Sequence, residues 1–197
     1  MIASPILLEA GAVEVSFRKG EWIFRQGGQA RYYFQIVEGQ VKMSNFSAQG
    51  QEFVQGLFAA GQSFGEPPLL TDLTYPASAI ASTDCRVYKL NKDKFLNILL
   101  ANPKISLEVG KSLAKRLHYK ATMASEISSN HPEHRILTLL TYLKNEIHPN
   151  TNDLHPVDLT RQQIADMTGL RVETVIRSIK KMEKEKQLVI QNRKVYL

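Results

Sequence analysis

Cysteine is nearly absent from this chain of 197 residues, where Cys85 stands alone. A single thiol excludes an intrachain disulfide framework and any four-cysteine iron–sulfur or zinc site. Long hydrophobic runs are missing as well. The first stretch, MIASPILLEAGAVEVSF, has no basic leading region and carries Glu9 and Glu14, so it reads as neither a secretory signal nor a membrane span. The expected compartment is the cytoplasm. Acid is in deficit: 19 Asp and Glu face 25 Lys and Arg, a net charge of +6 that favours polyanionic partners. Catalytic signatures are lacking too. With no Ser/His/Asp order, P-loop, metal motif or paired carboxylates in a glycine-framed pocket, the chain is expected to be no enzyme and to carry no metal or cofactor. What remains, 43% hydrophobic and 22% charged residues, can build one large or two modest globular cores.

Residues 13–90 read as β structure. Short alternating runs (Glu21–Arg25, Tyr33–Val37, Gln40–Asn45, Phe53–Phe58, Ser78–Ala81, Arg86–Leu90) are separated by glycines at intervals of roughly ten residues, the pattern of a sandwich or barrel. Residues 92–102 read as a short helix closed by Asn102-Pro103. After Pro103 no proline occurs before about Ser128 and Gly110 is the one glycine, which predicts a long helix. Along it Gly110, Leu113, Leu117, Lys120, Ala124 and Ile127 recur at spacings of 3 and 4, a coiled-coil seam. About 25 residues span about 37 Å, longer than one small domain needs and suited to a dimer spine. The segment SSNHPEH should break this helix at Asn130–Pro132 and act as a hinge. A further helix over Glu133–Glu146 follows, with Ile136, Leu139, Leu140 and Leu143 inward, and then the polar loop HPNTNDLHP.

The most informative run is VDLTRQQIADMTGLRVETVIRSIKKMEKEK, residues 157–186. Thr160 and Gln163 have capping-box spacing, and Ile164, Ala165 and Met167 give the first helix an apolar face. Gly169 suits the left-handed turn into a second helix starting near Val172. There Val175, Ile179 and Met182 face inward, while Glu173, Arg177 and Lys180 fall between them and point out. This is a helix-turn-helix, whose second helix lies in the major groove of DNA. The competing reading is an ordinary αα-hairpin with a solvated charged face. Residues 171–186 hold six bases (Arg171, Arg177, Lys180, Lys181, Lys184, Lys186) against Glu173, Glu183 and Glu185, so part of the positive excess lies on the outward face. The ending LVI, QNRK, VYL reads as a small hairpin, the wing of a winged helix.

From about Val15 to Leu197 the chain resembles the Crp/Fnr family of bacterial transcription regulators. The matching segments are KGEWIFRQGG (19–28), FQIVEGQVK (34–42), GQSFGEPPLL (61–70), Asn102-Pro103, AKRL (114–117) and TRQQIADMTGLRVETVIRSIKKME (160–183). The resemblance implies an α+β chain with an effector-sensing jelly-roll β-barrel (1–102), a dimerisation helix and hinge (103–130), and a winged-helix DNA-binding domain (131–197). It also implies a homodimer on a pseudo-palindromic duplex, with RNA polymerase as a partner if the protein activates. By resemblance, Glu173, Thr174 and Arg177 are the base readers, in a context with Val172 that is closer to Fnr than to Crp. Chemically, Arg177 can engage guanine O6 and N7 and Glu173 can accept from cytosine N4. Thr160, Arg161, Gln162 and Lys180 match positions used near the DNA backbone, where capping and solvation are equally good explanations. Two departures stand out. Ile176 replaces a Ser or Gly and suits an apolar contact such as a thymine methyl, and Arg171 replaces a capping Ser or Thr and suits a phosphate.

The effector site departs further. Cyclic-nucleotide binders of the family use a Gly-Glu pair, followed ten residues after the Glu by Arg-Ser. Gly65 and Glu66 are present, but Pro76 and Ala77 stand where Arg-Ser is needed, and proline lacks even an N–H to offer a phosphate. The register fixed by AKRL puts Lys120 and Ala121 where the family's adenine-contacting Thr-Ser pair falls. Control by cAMP is therefore not expected, which leaves a different small-molecule effector or none. Lys120 could meet Glu66, meet an anionic ligand, or snorkel from a loose seam. His118 beside Tyr119 reads as surface, and His131 with His134 straddles Pro132 without a third ligand. Trp22, Tyr32, Tyr33 and Phe34 read as barrel core and rim. An alternative of another class is a small-molecule receptor whose winged helix docks a protein.

Overall fold

The computed structural model describes residues 1–50, 52–128, 131–147, 151 and 153–197, which form two compact units, Met1–Ala114 and Lys115–Leu197. The division falls inside one long helix, α4 (Pro103–Ser128). The expected hinge at Asn130–Pro132 lies partly outside the described residues, as do four positions of the polar loop at 148–150 and 152.

The first unit begins with helix α1 (Ser4–Glu9) and continues through strands β1 (Val13–Phe17), β2 (Trp22–Phe24), β3 (Tyr32–Glu38), β4 (Gln40–Phe46), β5 (Glu52–Ala59) and β6 (Ser63–Phe64). After these come helix α2 (Pro67–Thr71), strands β7 (Ser78–Ala81) and β8 (Cys85–Asn91), and helix α3 (Lys92–Ala101). The strands form two antiparallel four-stranded sheets, ordered β1-β8-β3-β6 and β2-β7-β4-β5, the arrangement of a jelly roll. Phe34, Ile36, Phe64 and Val87 of the first sheet share a core with Val41, Ala79 and Ala81 of the second. Small Ala79 and Ala81 leave room for the phenyl rings. A separate core joins Leu7, Tyr33, Leu69, Leu90, Phe95 and Ile98, with Tyr33 stacked on Phe95 at 4.5 Å. Its polar atoms are paired in series: the Tyr33 hydroxyl donates to Gln35 Oε1 at 2.8 Å, and Gln35 Nε2 donates to the Ile2 carbonyl at 2.9 Å.

Helices α1 and α2 and strands β1 and β6 were not among the individual elements expected from the pattern. Each is short, and α1 and α2 both carry proline in the first turn, where its missing N–H costs nothing. Trp22 and Tyr32 sit on the rim at 38% and 37% exposure, whereas Tyr33 and Phe34 are buried.

The second unit adds α5 (Pro132–Ile147), β9 (Pro156–Val157), α6 (Arg161–Thr168), α7 (Val172–Lys184), β10 (Val189–Gln191) and β11 (Lys194–Tyr196) to the end of α4. The expected wing hairpin gains a third strand, giving the order β10-β11-β9. Asn192 and Arg193 both take positive φ, 49° and 65°, as a two-residue hairpin turn of the I′ kind requires. Ile136, Leu139 and Leu140 of α5 are fully buried where α5, α6 and α7 pack together, and Leu143 is half-buried.

One glycine of the jelly roll is under a tight steric constraint. Gly39, between β3 and β4, has φ +85°, and a Cβ there would collide with the Asp84 carbonyl and come within 2.7 Å of Cys85 Cβ. Gly20 has a similar φ of +88° with nothing within 4 Å. Alanine at either position carries a backbone penalty of about 1–2 kcal/mol, but only Gly39→Ala adds a backbone clash. In urea unfolding, Gly39→Ala should therefore have a midpoint well below that of Gly20→Ala. Equal midpoints would mean that the Gly39 turn does not pack against Asp84 and Cys85.

Candidate nucleic-acid interface

The geometry of the interface begins at the ends of two helices. Thr160 is the N-cap of α6: its hydroxyl accepts from the Gln163 N–H at 3.1 Å, and Gln163 Oε1 accepts from the Thr160 N–H at 2.8 Å. This is the reciprocal capping box read from the spacing. Gly169 ends α6 at φ 67°, and α7 starts three residues later. Ile164, Ala165 and Met167 of α6 and Val175, Ile179 and Met182 of α7 are all buried. Burial of those three α7 residues fixes the rotation of α7, so the opposite face is open. Glu173, Ile176, Arg177, Lys180, Lys181 and Lys184 share this exposed face, four bases with one acid and one aliphatic side chain.

The remaining candidates surround that face unevenly. Arg171 is the N-cap of α7 in extended conformation and is exposed, and its side chain makes no capping bond. Val172 and Thr174 are half-buried in the first turn of α7. Arg161 is half-buried at the start of α6, where burial lowers its guanidinium below the ordinary value and Glu183 partly offsets this. Gln162 is exposed, and its amide donates to Asp166 Oδ1 at 2.7 Å.

Two supports of this face gave no signal in the sequence. Glu133 of α5 accepts from Ser178 Oγ and pairs with Lys181, both at 3.3 Å, so it braces α7 from below. Its carboxyl is held below the usual range chiefly by a hydrogen bond from its own backbone N–H, with Lys181 adding to the effect. Arg135 of α5 donates from one amino group to the Thr168 carbonyl and from the other to the Ile127 carbonyl, both at 3.2 Å. These carbonyls close the C-terminal turns of α6 and α4, where the negative ends of the helix dipoles lie. The Arg135 Nε atom is buried without a hydrogen-bond partner, so the guanidinium is held by its two amino groups.

The expected effector residues lie in both units. In the first, Gly65 has φ +77°, and a Cβ there would meet the Phe24 and Tyr75 rings at 3.2–3.3 Å. Those rings stack at 3.7 Å against the turn, and burial pushes the Tyr75 hydroxyl up to about 12. Glu66 is buried at the start of α2 and accepts from Ser63 Oγ. Pro76 is exposed and its carbonyl accepts from Asn45 Nδ2 at 2.8 Å, while Ala77 is fully buried. The segment Tyr75–Ser78 therefore offers a phosphate no cation.

Lys120 and Ala121 belong to the second unit and are exposed. Neighbouring protein and Arg116 lower the Lys120 ammonium below its ordinary value. Of the expected seam, Gly110, Leu117, Lys120, Ala124 and Ile127 are exposed and Leu113 is half-buried.

The rings of His131 and His134 lie 5.2 Å apart. Among the described residues no group of three or more His, Cys, Asp or Glu could hold a metal. Cys85 is buried, and that burial, with Asp84 next, raises its thiol. No helix among the described residues is long and apolar enough to cross a membrane.

Comparison with known proteins places this geometry. Residues 14–102 match the cyclic nucleotide-binding domain, and residues 134–197 match the Crp-like helix-turn-helix domain. The chain is 27% identical over 163 residues to the cAMP-activated global transcriptional regulator CRP of Haemophilus influenzae, covering 82% of this chain and 73% of that protein. Its fold is similar to that of FixK2 from Bradyrhizobium japonicum, with a TM-score of 0.77 and 20% identity over 94% of this chain and 92% of that one. A CooA variant from Carboxydothermus hydrogenoformans gives a TM-score of 0.80 at 19% identity, over 100% of this chain and 87% of that one.

The Arg135 latch can be tested directly. Hydrogen bonds to charged groups contribute about 1.5–3 kcal/mol each, so Arg135→Met should destabilise the C-terminal unit by roughly 2 kcal/mol or more. Arg135→Lys should recover only part of this, because an ammonium lacks the planar fork. Urea unfolding of the full chain followed by circular dichroism checks both variants. Wild-type stability in Arg135→Met would mean that these two carbonyl contacts do not hold the unit together.

Proposed function

Since this chain belongs to the Crp/Fnr family of DNA-binding transcription regulators, we propose that it binds a pseudo-palindromic duplex as a homodimer and is not controlled by cAMP. The exposed face of α7 carries the DNA-binding part of this reading. Glu173 and Arg177 sit one turn apart on it, spaced to meet neighbouring base pairs, and Lys180, Lys181 and Lys184 surround them with positive charge. Thr160, Arg161, Gln162 and Arg171 stand at the starts of the two helices, where N–H groups and positive dipole ends favour phosphate. RNA polymerase is a further partner if the protein activates.

Dimerisation is supported by the unpaired face of α4. Leu107, Gly110, Ala114, Leu117, Ala121 and Ala124 are all exposed at alternating spacings of 3 and 4, and Leu107 and Leu117 leave 59% and 70% of their surface open. An added Cβ at Gly110 would meet nothing within 4 Å in its own chain. The four small residues would let two such helices approach closely, with the two leucines as knobs. This stripe shares Gly110, Leu117 and Ala124 with the expected seam. It takes in Ala114 and Ala121 on the side away from half-buried Leu113.

Charge supports the reading without cAMP control. At the loop that would hold a cyclic phosphate, Pro76 and Ala77 supply neither cation nor hydroxyl, and an unpaired buried anion costs several kcal/mol. A different effector, or regulation by abundance alone, fits these residues better.

Three measurements test the reading. Sedimentation at micromolar concentration should show a dimer that Leu117→Glu converts to monomer with loss of tight DNA binding. A wild-type monomer would contradict it. On a selected site, Arg177→Ala should cost ~1–3 kcal/mol and relax specificity at one base pair. Lys180→Ala should weaken all sequences alike and lower the salt slope by about one. Equal losses on specific and random DNA for Arg177→Ala would make it a backbone contact. Calorimetry at millimolar cAMP should give no saturable heat and leave DNA affinity unchanged. Micromolar binding that shifts DNA affinity would overturn the cAMP-independent reading.

A further inference from the structure

We propose that Ile176 recognises the 5-methyl group of a thymine in each half-site, making the protein sensitive to a single methyl at a defined base pair. The inference rests on the DNA-binding reading above and adds a specificity element to it. Beyond the first turn of α7 the apolar residues divide sharply. Val175, Ile179 and Met182 are 0%, 1% and 0% exposed, whereas Ile176 is 41% exposed. Ile176 also stands on the face lined by Glu173, Arg177 and Lys180, three residues after the first and four before the last. At about 100° per residue, Ile176 and Arg177 flank the line through Glu173 and Lys180, one on each side. Ile176 thus leaves a large part of its surface open among charges, and a β-branched residue is a weaker helix former than the Lys, Arg and Glu around it.

The chemistry of the groove supplies the partner. In the major groove the pattern of donors and acceptors is interrupted by one apolar group, the C5-methyl of thymine. An isoleucine cannot pair with guanine O6 or N7. Pressed against cytosine N4, it would leave a donor unsatisfied. Against thymine it removes apolar surface on both sides from water. Its stiff χ1 means that little rotamer freedom is lost on contact. Withdrawing one methyl from water in this way should tighten binding roughly fourfold per half-site.

Deoxyuridine tests this cleanly, because it keeps every hydrogen-bonding group of thymine and lacks only the methyl. Duplexes are first selected from random sequence with the full chain. The thymines of each half-site are then replaced one at a time, and wild type and Ile176→Ser are titrated at fixed salt. One thymine per half-site should weaken wild-type binding roughly fourfold on replacement, and the losses should multiply when both half-sites are changed. Ile176→Ser should bind the thymine and deoxyuridine duplexes alike while keeping the wild-type salt slope. Equal wild-type binding to both duplexes overturns the inference, and so does an Ile176→Ser protein that still discriminates. If wild type selects no duplex over random DNA, the DNA-binding reading itself falls, and this inference with it.

Discussion

Burial of Val175, Ile179 and Met182 is the contact on which the outward face of α7 depends. A helix packed on one apolar stripe has no freedom to turn about its own axis, because a shift of one residue would rotate every side chain by about 100°. That one contact therefore assigns Glu173, Ile176, Arg177 and Lys180 to the outside. The cap at Thr160 and the left-handed Gly169 fix where α6 ends and α7 begins. Glu133 then braces α7 from α5 through Ser178 and Lys181. Chemistry at the surface is set by packing beneath it.

Packing also sets the turn at Gly65 and Glu66. Gly65 keeps the positive φ of its turn and Glu66 remains buried, but the space against Gly65 is occupied by the stacked Phe24 and Tyr75 rings. Beside them, Pro76 and Ala77 bring no positive charge to the turn. A jelly-roll scaffold does not by itself prescribe the ligand it holds.

How much of this could be read from the sequence depended on the length of each repeat. The long helix, the helix-turn-helix and the capping box carry many residues in register, so their bounds agree with the structure to within a residue or two. Strands β6 and β9 have two residues each, too few for any period, and α1 has six without a side-chain cap. On α4 the choice between Leu113 and Ala114 could not be made from spacing, because both extend the series through Gly110 and Leu117. Only the half-burial of Leu113 separates them. Arg135 was invisible for a different reason: its partners are backbone carbonyls 8 and 33 residues away, and carbonyls have no side-chain signature.

The identity of that residue decides how the joint responds to its surroundings. Guanidinium stays protonated at any pH a living cell reaches, so the tie between the ends of α4 and α6 cannot be released by acidification. Histidine in the same place would have made the orientation of α6 follow acidity near neutrality. The arginine contact is therefore indifferent to protons, whereas dissolved ions screen the exposed Lys180, Lys181 and Lys184 within about a nanometre.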